Sequence, residues 1–352
     1  MKLFTPIRFR GIELKNRIAV SPMCQYSAED GHPGRWHLVH LGSRAVGGAA
    51  VVMAEATGVQ ANGRISPADT GLYLDSHAEA WRPIVEFIRE QGAVAGIQLA
   101  HAGRKASTAA PWLGGKPIPA KEGGWVPVAP SAVPFDAGYA TPKELTITEI
   151  DQLVECYMAA ARRALLAGFQ IIEVHAAHGY LLHEFYSPLS NQRKDEYGGG
   201  FENRVRLILR VTKAVRGLWP EMQPVFVRIS ATDWKQGGWD LEQSVELCRR
   251  LKGLGADLVD VSSGGLVPGV SIPVGPGYQV GFAAAIRREA GIATGAVGVI
   301  TDPAQAETIV STEQADIVLL AREMLRDPYW PRRAAQVLGG KSKPPVQYER
   351  AW

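Results

Sequence analysis

Arg17-Ile18-Ala19-Val20-Ser21-Pro22-Met23-Cys24 is a short apolar run that breaks into a proline-containing turn. The first strand of an open, doubly wound sheet would lead into a glycine-rich phosphate turn, whereas Ser21-Pro22-Met23-Cys24 holds no glycine. Further along, residues 50–55, 94–99, 171–175, 225–229, 258–262, 293–298 and 317–320 repeat the pattern of residues 17–21, which makes eight runs. Each is apolar throughout rather than alternating, as expected of parallel strands covered on both faces. Helical patterns lie between them at 76–91, 148–167, 201–219, 241–254 and 302–310. Eight strand–helix units without a dinucleotide fingerprint predict an α/β fold, a (β/α)₈ TIM barrel.

Local signals agree with this spacing. Thr148-Glu149-Ile150-Asp151 reads as a threonine cap with an acid three residues on, Gly168 and Gly255 as helix stops, and Asp302-Pro303 as a cap followed by a first-turn proline. Residues 104 to about 142, after the third strand, are rich in Pro, Gly, Ala and Trp and lack a helical period. A connection that long is expected to be functional, and it would overhang the C-terminal face where barrel sites lie. A second excursion, 179–200, follows the fourth strand. No internal repeat or linker is visible, so residues 1–352 are expected to form a single domain.

Composition excludes several classes. A net charge of +3 over 352 residues, with scattered Lys and Arg, provides no basic stripe for nucleic acid. Three cysteines, Cys24, Cys156 and Cys248, make neither a disulfide framework nor a close-spaced metal set, and Cys156 and Cys248 read as core thiols. With no apolar leader and no 18-residue apolar stretch, the chain is expected in the cytoplasm.

The chemistry concentrates at strand ends. Ile171-Ile172-Glu173-Val174 runs directly into His175-Ala176-Ala177-His178-Gly179-Tyr180. Two imidazoles there can hydrogen-bond a carbonyl or nitro oxygen and stabilise developing negative charge, and a tyrosine can give a proton. The alternative readings are a pair of capping histidines or a pair of metal ligands, although no third ligand of matched spacing is present. Gln98, inside the third run, needs a hydrogen-bond partner that backbone or a cofactor ring could supply. Arg228, embedded in the fifth run, requires an anion or ligand. Gly298 and the pair Ala321-Arg322 follow the seventh and eighth runs, where barrels commonly place a phosphate site. A metal-dependent hydrolase and a non-catalytic binding scaffold are the competing readings. The first lacks the His-x-His usual after the first strand, and the second leaves the strand-end polar residues unexplained.

These pieces, taken with Leu3-Phe4-Thr5-Pro6, Lys15-Asn16-Arg17-Ile18, Gly96-Ile97-Gln98-Leu99-Ala100-His101-Ala102-Gly103-Arg104-Lys105, Ser190-Asn191-Gln192-Arg193, Asp195-Glu196-Tyr197-Gly198-Gly199, Thr294-Gly295-Ala296-Val297-Gly298 and Tyr348-Glu349-Arg350-Ala351-Trp352, span nearly the whole chain. The sequence resembles the old yellow enzyme family of FMN-dependent ene-reductases, in its thermophilic-like bacterial subclass. The resemblance implies tightly bound FMN and NADPH as hydride donor. It implies a ping-pong reduction of α,β-unsaturated carbonyl or nitro compounds, xenobiotics included. Ser21, Pro22, Met23, Cys24, Ala56, Gln98 and Arg228 would then contact the flavin ring, with Cys24, a threonine in the classical subclass, tuning its potential. Gly298, Ala321 and Arg322 would hold the phosphate; the family often has glycine where this chain has Ala321. His175 and His178 would bind the acceptor's oxygen, Tyr180 would donate the proton and Tyr26 would contact substrate. Arg350 resembles a finger reaching a neighbouring protomer, which places tail 344–352 at a subunit interface in a dimer or a tetramer built from dimers. The dienoyl-CoA-reductase type of the same superfamily is excluded by chain length and by the dispersed cysteines.

Overall fold

The computed structural model describes all 352 residues. Eight parallel strands follow one another around a closed barrel: β1 (Ile18–Val20), β2 (Val51–Gly58), β3 (Val94–Ala100), β4 (Ile171–Ala176), β5 (Val225–Ser230), β6 (Leu258–Ser262), β7 (Ala293–Ala296) and β8 (Ile317–Leu320). β8 pairs with β1 through Val318–Ile18, Leu319–Ala19 and Leu320–Val20, so no sheet edge is left open. Outside lie α1 (Arg35–Val46), α2 (Asp75–Glu90), α3 (Ile147–Ala167), α4 (Arg206–Leu218), α5 (Leu241–Gly253), α6 (Val280–Ala290), α7 (Pro303–Ser311) and α8 (Trp330–Val337). None is long and apolar enough to cross a membrane.

All eight expected strands form. Their apolar runs hide a period of two, because strand residues alternate between barrel interior and helix layer while both sides are buried. Ile172 and Val174 of β4 and Val227 and Ile229 of β5 pack in the large cluster under the helices. Ile171, Phe226 and Leu258 belong to a separate cluster at the barrel's floor. An antiparallel hairpin, Ile7–Phe9 with Ile12–Leu14, plugs that floor, and Phe9 meets Phe226 edge-on at 5.4 Å. Stepping by two from the floor passes through Glu173, Arg228 and Asp260, then His175, Ser230 and Ser262, the last three at the C-terminal mouth.

Of these eight outer helices, α1, α6 and α8 were not expected, nor were the short helices Leu181–Tyr186 and Arg322–Arg326. α1 keeps Trp36 and Val39 exposed, which blurs its apolar stripe. The cap of α3 is Thr146 rather than Thr148. Glu149 reaches back to the Thr146 amide (3.0 Å) while the Thr146 hydroxyl takes the Glu149 N–H, a reciprocal box worth ~1 kcal/mol. Asp151 is engaged instead with Arg210 at 2.8 Å. The pattern over 201–219 is broken into Phe201–Arg204 and α4, with Val205 between them. Arg204 is pinned there to the carbonyls of Tyr186 and Gly199 and to Gln243, which ties that first turn to the excursion after β4. Gly168 (φ +90°) and Asp302, which accepts from Gln305 N–H, act as expected. Cys248 is buried, whereas Cys156 is only half-buried and accepts from Gln60.

The connection after β3 forms 3₁₀ turns at Gly103–Lys105, Pro111–Leu113 and Ala120–Glu122 and pairs Val128–Ala129 with Lys143–Glu144. It does overhang the mouth: Trp112 meets Tyr26 edge-on at 5.7 Å, and Phe135 lies under the Lys105 ammonium at 4.8 Å.

Candidate active site

β4 delivers His175 to the mouth, and the chain then turns sharply through His178 (φ +60°) and Gly179 (φ +73°). A Cβ on Gly179 would sit 2.2 Å from the Gly265 carbonyl oxygen, so the turn both needs left-handed backbone and lacks room for a side chain. The result is a ring cluster: His175 lies 5.3 Å from His178 and 5.2 Å from Tyr180, edge-on to both.

Backbone clamps hold this turn. Ser230 Oγ accepts from His178 N–H at 2.9 Å, and Tyr186 O–H donates to the Ala176 carbonyl at 2.8 Å. Lys105 Nζ donates to the carbonyls of His178 (2.8 Å) and Gly265 (3.0 Å), and lies 5.0 Å above the Tyr180 ring. On the imidazoles, His178 Nε2 is 2.7 Å from Ser262 Oγ and His175 Nδ1 is buried without a partner. Burial, reinforced by the Arg228 cation, holds both rings well below the ordinary histidine value, so they are neutral. Burial, with Cys24, Tyr26 and Asp69 nearby, pushes the Tyr180 phenol well up and keeps its proton in place. Neutral imidazoles that can donate, beside a protonated phenol, can polarise an oxygen and supply a proton.

Cys24 and Tyr26 pack with Tyr180 against Ile65, Ala102 and Ala106. Ala56 stands beside Gln98 across the β2–β3 pairing, where β2 is bulged at Glu55. One layer below the histidines, Gln98 Nε2 donates to Glu173 Oε1 at 2.7 Å. Arg228 Nε is 3.1 Å from Asp260 Oδ2 but not aligned for a hydrogen bond. Burial and the Asp260 charge push Glu173 up to about 8 against the pull of Arg228. Ser21 Oγ, Glu173 Oε2, Arg228 Nε and both Asp260 oxygens are buried without partners. Such a concentration of unmet polar atoms at one level calls for a polar ligand.

A cavity of about 440 Å³ opens beside this layer, lined among others by Gly298, Ala321 and Arg322 with Ser262, Tyr278 and Gln279. Gly298 has φ +125°, and a Cβ there would come within 2.9 Å of Gln279 Nε2. Gln279 is held by its own donation to the Val297 carbonyl (3.0 Å) and by accepting from Ser263 Oγ (2.6 Å). Arg322 forms neither an ion pair nor a side-chain hydrogen bond within the chain, although it lines this cavity.

The structure therefore gathers His175, His178 and Tyr180 with Cys24 and Tyr26, sets Gln98 and Arg228 one layer below, and puts Gly298, Ala321 and Arg322 on one cavity, while Arg350 stands apart. That residue lies in the exposed terminal turn Val346–Ala351, without a hydrogen bond or ion pair inside the chain. Sequence reading passed over Glu173, Asp260, Lys105, Ser262 and Gln279. Glu173 and Asp260 were detectable as carboxylates inside apolar runs, and Lys105 stands in a quoted motif. Nothing local marks Gln279. No three His, Cys, Asp or Glu side chains are arranged to hold a metal ion, so a metal-dependent hydrolase has no ligand set to stand on.

Comparison with known proteins identifies the family. The chain is 50% identical over 352 residues to an NADPH dehydrogenase of Geobacillus thermodenitrificans, covering 99% of this chain and 98% of that protein. It is 46% identical to an NADPH dehydrogenase of Bacillus subtilis, covering 100% and 99%. An old yellow enzyme homologue from Zymomonas mobilis superposes with a TM-score of 0.81 at 29% identity, covering 99% of this chain and 96% of that one. Residues 2–340 match the NADH:flavin oxidoreductase / NADH oxidase family. The chain belongs to that family, the old yellow enzyme family of flavin oxidoreductases.

Proposed function

We propose that the chain is an FMN-dependent NADPH dehydrogenase that reduces the activated C=C bond of α,β-unsaturated carbonyl or nitro compounds, NADPH and acceptor taking turns at one place. The observation that carries this reading is the cluster of two neutral imidazoles and a protonated phenol above a layer of unmet polar atoms.

Residues 1–352 act as a single FMN-binding barrel domain. Its residues fit the cofactor. Ser21 Oγ and Arg228 Nε are themselves among the unpartnered atoms, Gln98 donates to Glu173 beside them, and a polar ring with donors and acceptors would satisfy that level, with Pro22, Met23, Cys24 and Ala56 lining it. Gly298, Ala321 and the unpaired Arg322 line a cavity suited to a phosphate. FMN supplies hydride-transfer chemistry when bound; the chain supplies orientation and electrostatics. His175 and His178 donate hydrogen bonds to the acceptor's oxygen, and Tyr26 helps place the acceptor. Tyr180 O–H gives the proton to the carbon α to the activating group. The Lys105 ammonium above the Tyr180 ring favours the anion left behind.

Purified protein is expected to be yellow. Its absorbance should bleach with NADPH without oxygen and return on adding 2-cyclohexen-1-one. A colourless protein, or a bleached one that the enone cannot restore, would overturn the reading.

Arg350 extends the proposal to a dimer. Its guanidinium is unpaired, and the same turn exposes Val346 and Tyr348. Beside Cys24, the exposed Trp36, Val39 and Trp112 line an open hollow of about 620 Å³. Apolar surface of this kind marks an interaction face, and it suits a second copy placing its own tail near the mouth.

A further inference from the structure

His183 and Asp233 are fully buried, 2.8 Å apart from Nε2 to Oδ1, and neither faces the mouth cavities. His183 lies in the short helix Leu181–Tyr186, and Asp233 follows β5. Gly179 N–H donates to His183 Nδ1 at 2.9 Å. A nitrogen that accepts that bond carries no proton, so the proton of the neutral ring is on Nε2 and points at Asp233. Asp233 is fully committed as an acceptor: Ser187 Oγ reaches its Oδ2 at 2.6 Å and Trp239 N–H at 2.7 Å. Tyr186 stacks on the His183 ring at 4.6 Å while its hydroxyl holds the Ala176 carbonyl.

We propose that the His183–Asp233 pair is a positioning device for the proposed proton donor, acting through the Gly179 amide. Asp233 fixes the tautomer of His183, and His183 Nδ1 fixes the His178–Gly179 peptide by accepting from its N–H. That peptide sets the direction in which the His178 and Tyr180 side chains leave the backbone. Gly179 has no side chain to be held by, and its left-handed conformation has no intrinsic preference over alternatives. The hydrogen bond to His183 therefore selects one conformation at the point where an error would be felt most. The same arrangement recurs on the other side of the mouth. There His37 Nδ1 accepts from Gly34 N–H, and its Nε2 meets Glu55, whose other oxygen takes the Gln25 amide between Cys24 and Tyr26.

The proposal rests on Tyr180 being the proton donor, and the test separates the two. FMN-loaded His183→Gln, His183→Asn and Tyr180→Phe are compared in both half-reactions at saturating NADPH and saturating 2-cyclohexen-1-one. Gln loses the acceptor for the Gly179 amide, whereas Asn carries its oxygen where Nδ1 stood. His183→Gln is expected to slow reoxidation by the enone about 10–100-fold. It should also raise the solvent deuterium isotope effect on that step, with NADPH oxidation within about threefold of the parent. His183→Asn should recover most of the lost rate. Equal loss in both half-reactions, an unchanged isotope effect, or no recovery with Asn would overturn the positioning role. If Tyr180→Phe slows reoxidation while His183→Gln does not, the positioning role alone falls. If Tyr180→Phe reoxidises normally, the donor assignment falls and the proposal with it. Should His183→Gln fail to hold FMN, Asp233→Asn, which offers His183 an amide in place of a carboxylate, is read by the same split.

Discussion

The two ends of the site are built by opposite means. After β4, the proposed substrate end is made of side chains, and main-chain groups along the turn are clamped: Ala176 by Tyr186, His178 by Ser230 and Lys105, Gly179 by His183. After β7 and β8, the proposed phosphate end is an open cavity of about 440 Å³, lined in part by Gly298 and the unpaired Arg322. Proton donation depends on sub-ångström placement of a donor, which only a dry, fully bonded setting maintains. An anion needs donors and room, and tolerates water and mobility. Rigidity is spent where direction matters.

Substitution at each end should separate these roles. Tyr180→Phe is expected to slow enone reduction about 10²–10⁴-fold and to leave NADPH oxidation nearly untouched, both measured by stopped flow. A collapse of NADPH oxidation alone would show that the substrate end serves the other half-reaction. At the phosphate end, Arg322→Ala should weaken FMN about 10–100-fold, the equivalent of one lost charge-assisted bond, measured by flavin fluorescence titration. Gly298→Val should do at least as much, since its Cβ would press on Gln279 and Tyr278. Neither change should alter the enone rate once flavin is saturating; if either does, the two ends are not independent.

Acidity offers a gentler probe of how dry the substrate end is. Burial lowers His40, His77, His101, His175 and His178, so the folded state takes no proton while the unfolded chain does below about pH 6.5. Stability from this set is present above that pH and is lost as pH falls. Burial also pushes Asp69 up to about 7, and Glu173 and Glu184 up to about 8, with the opposite sign. Their contribution is present at low pH and is lost as pH rises from the ordinary carboxylate range towards 8. The two sets oppose each other between about pH 4.5 and 6.5, five histidines against three carboxylates. The melting temperature of flavin-free protein should therefore rise gently to a maximum near about pH 6.5 and decline on both sides. A rise that continues to pH 8 would mean that water reaches the three carboxylates. The smallest effect is expected from Arg350→Ala, a rise of a few-fold in the enone KM at full flavin loading.

How far these features could be read in advance follows their range along the chain. The strands, the helix stop at Gly168, the helix start at Asp302 and the His175–Tyr180 segment were legible because each depends on a few neighbouring residues. The cap at Thr146 was misread by two positions, because choosing between two threonines turned on whether Glu149 or Asp151 had a competing partner. Glu173 and Asp260 stood in plain view within apolar runs. Their importance emerged only when barrel closure stacked Gln98, Glu173, Arg228 and Asp260 in one layer, a consequence of register between strands.

Amino-acid order alone thus determined the barrel, the place of the chemistry at strand ends and the residue types that carry it. Hydrophobic run length, turn chemistry and strand-end polarity are local properties. Tertiary structure decided which groups are neutral, which carbonyls Lys105 holds, and which buried partner sets the proton on His183. Those outcomes depend on desolvation and on contacts between residues such as His183 and Asp233, which only the closed barrel brings to 2.8 Å.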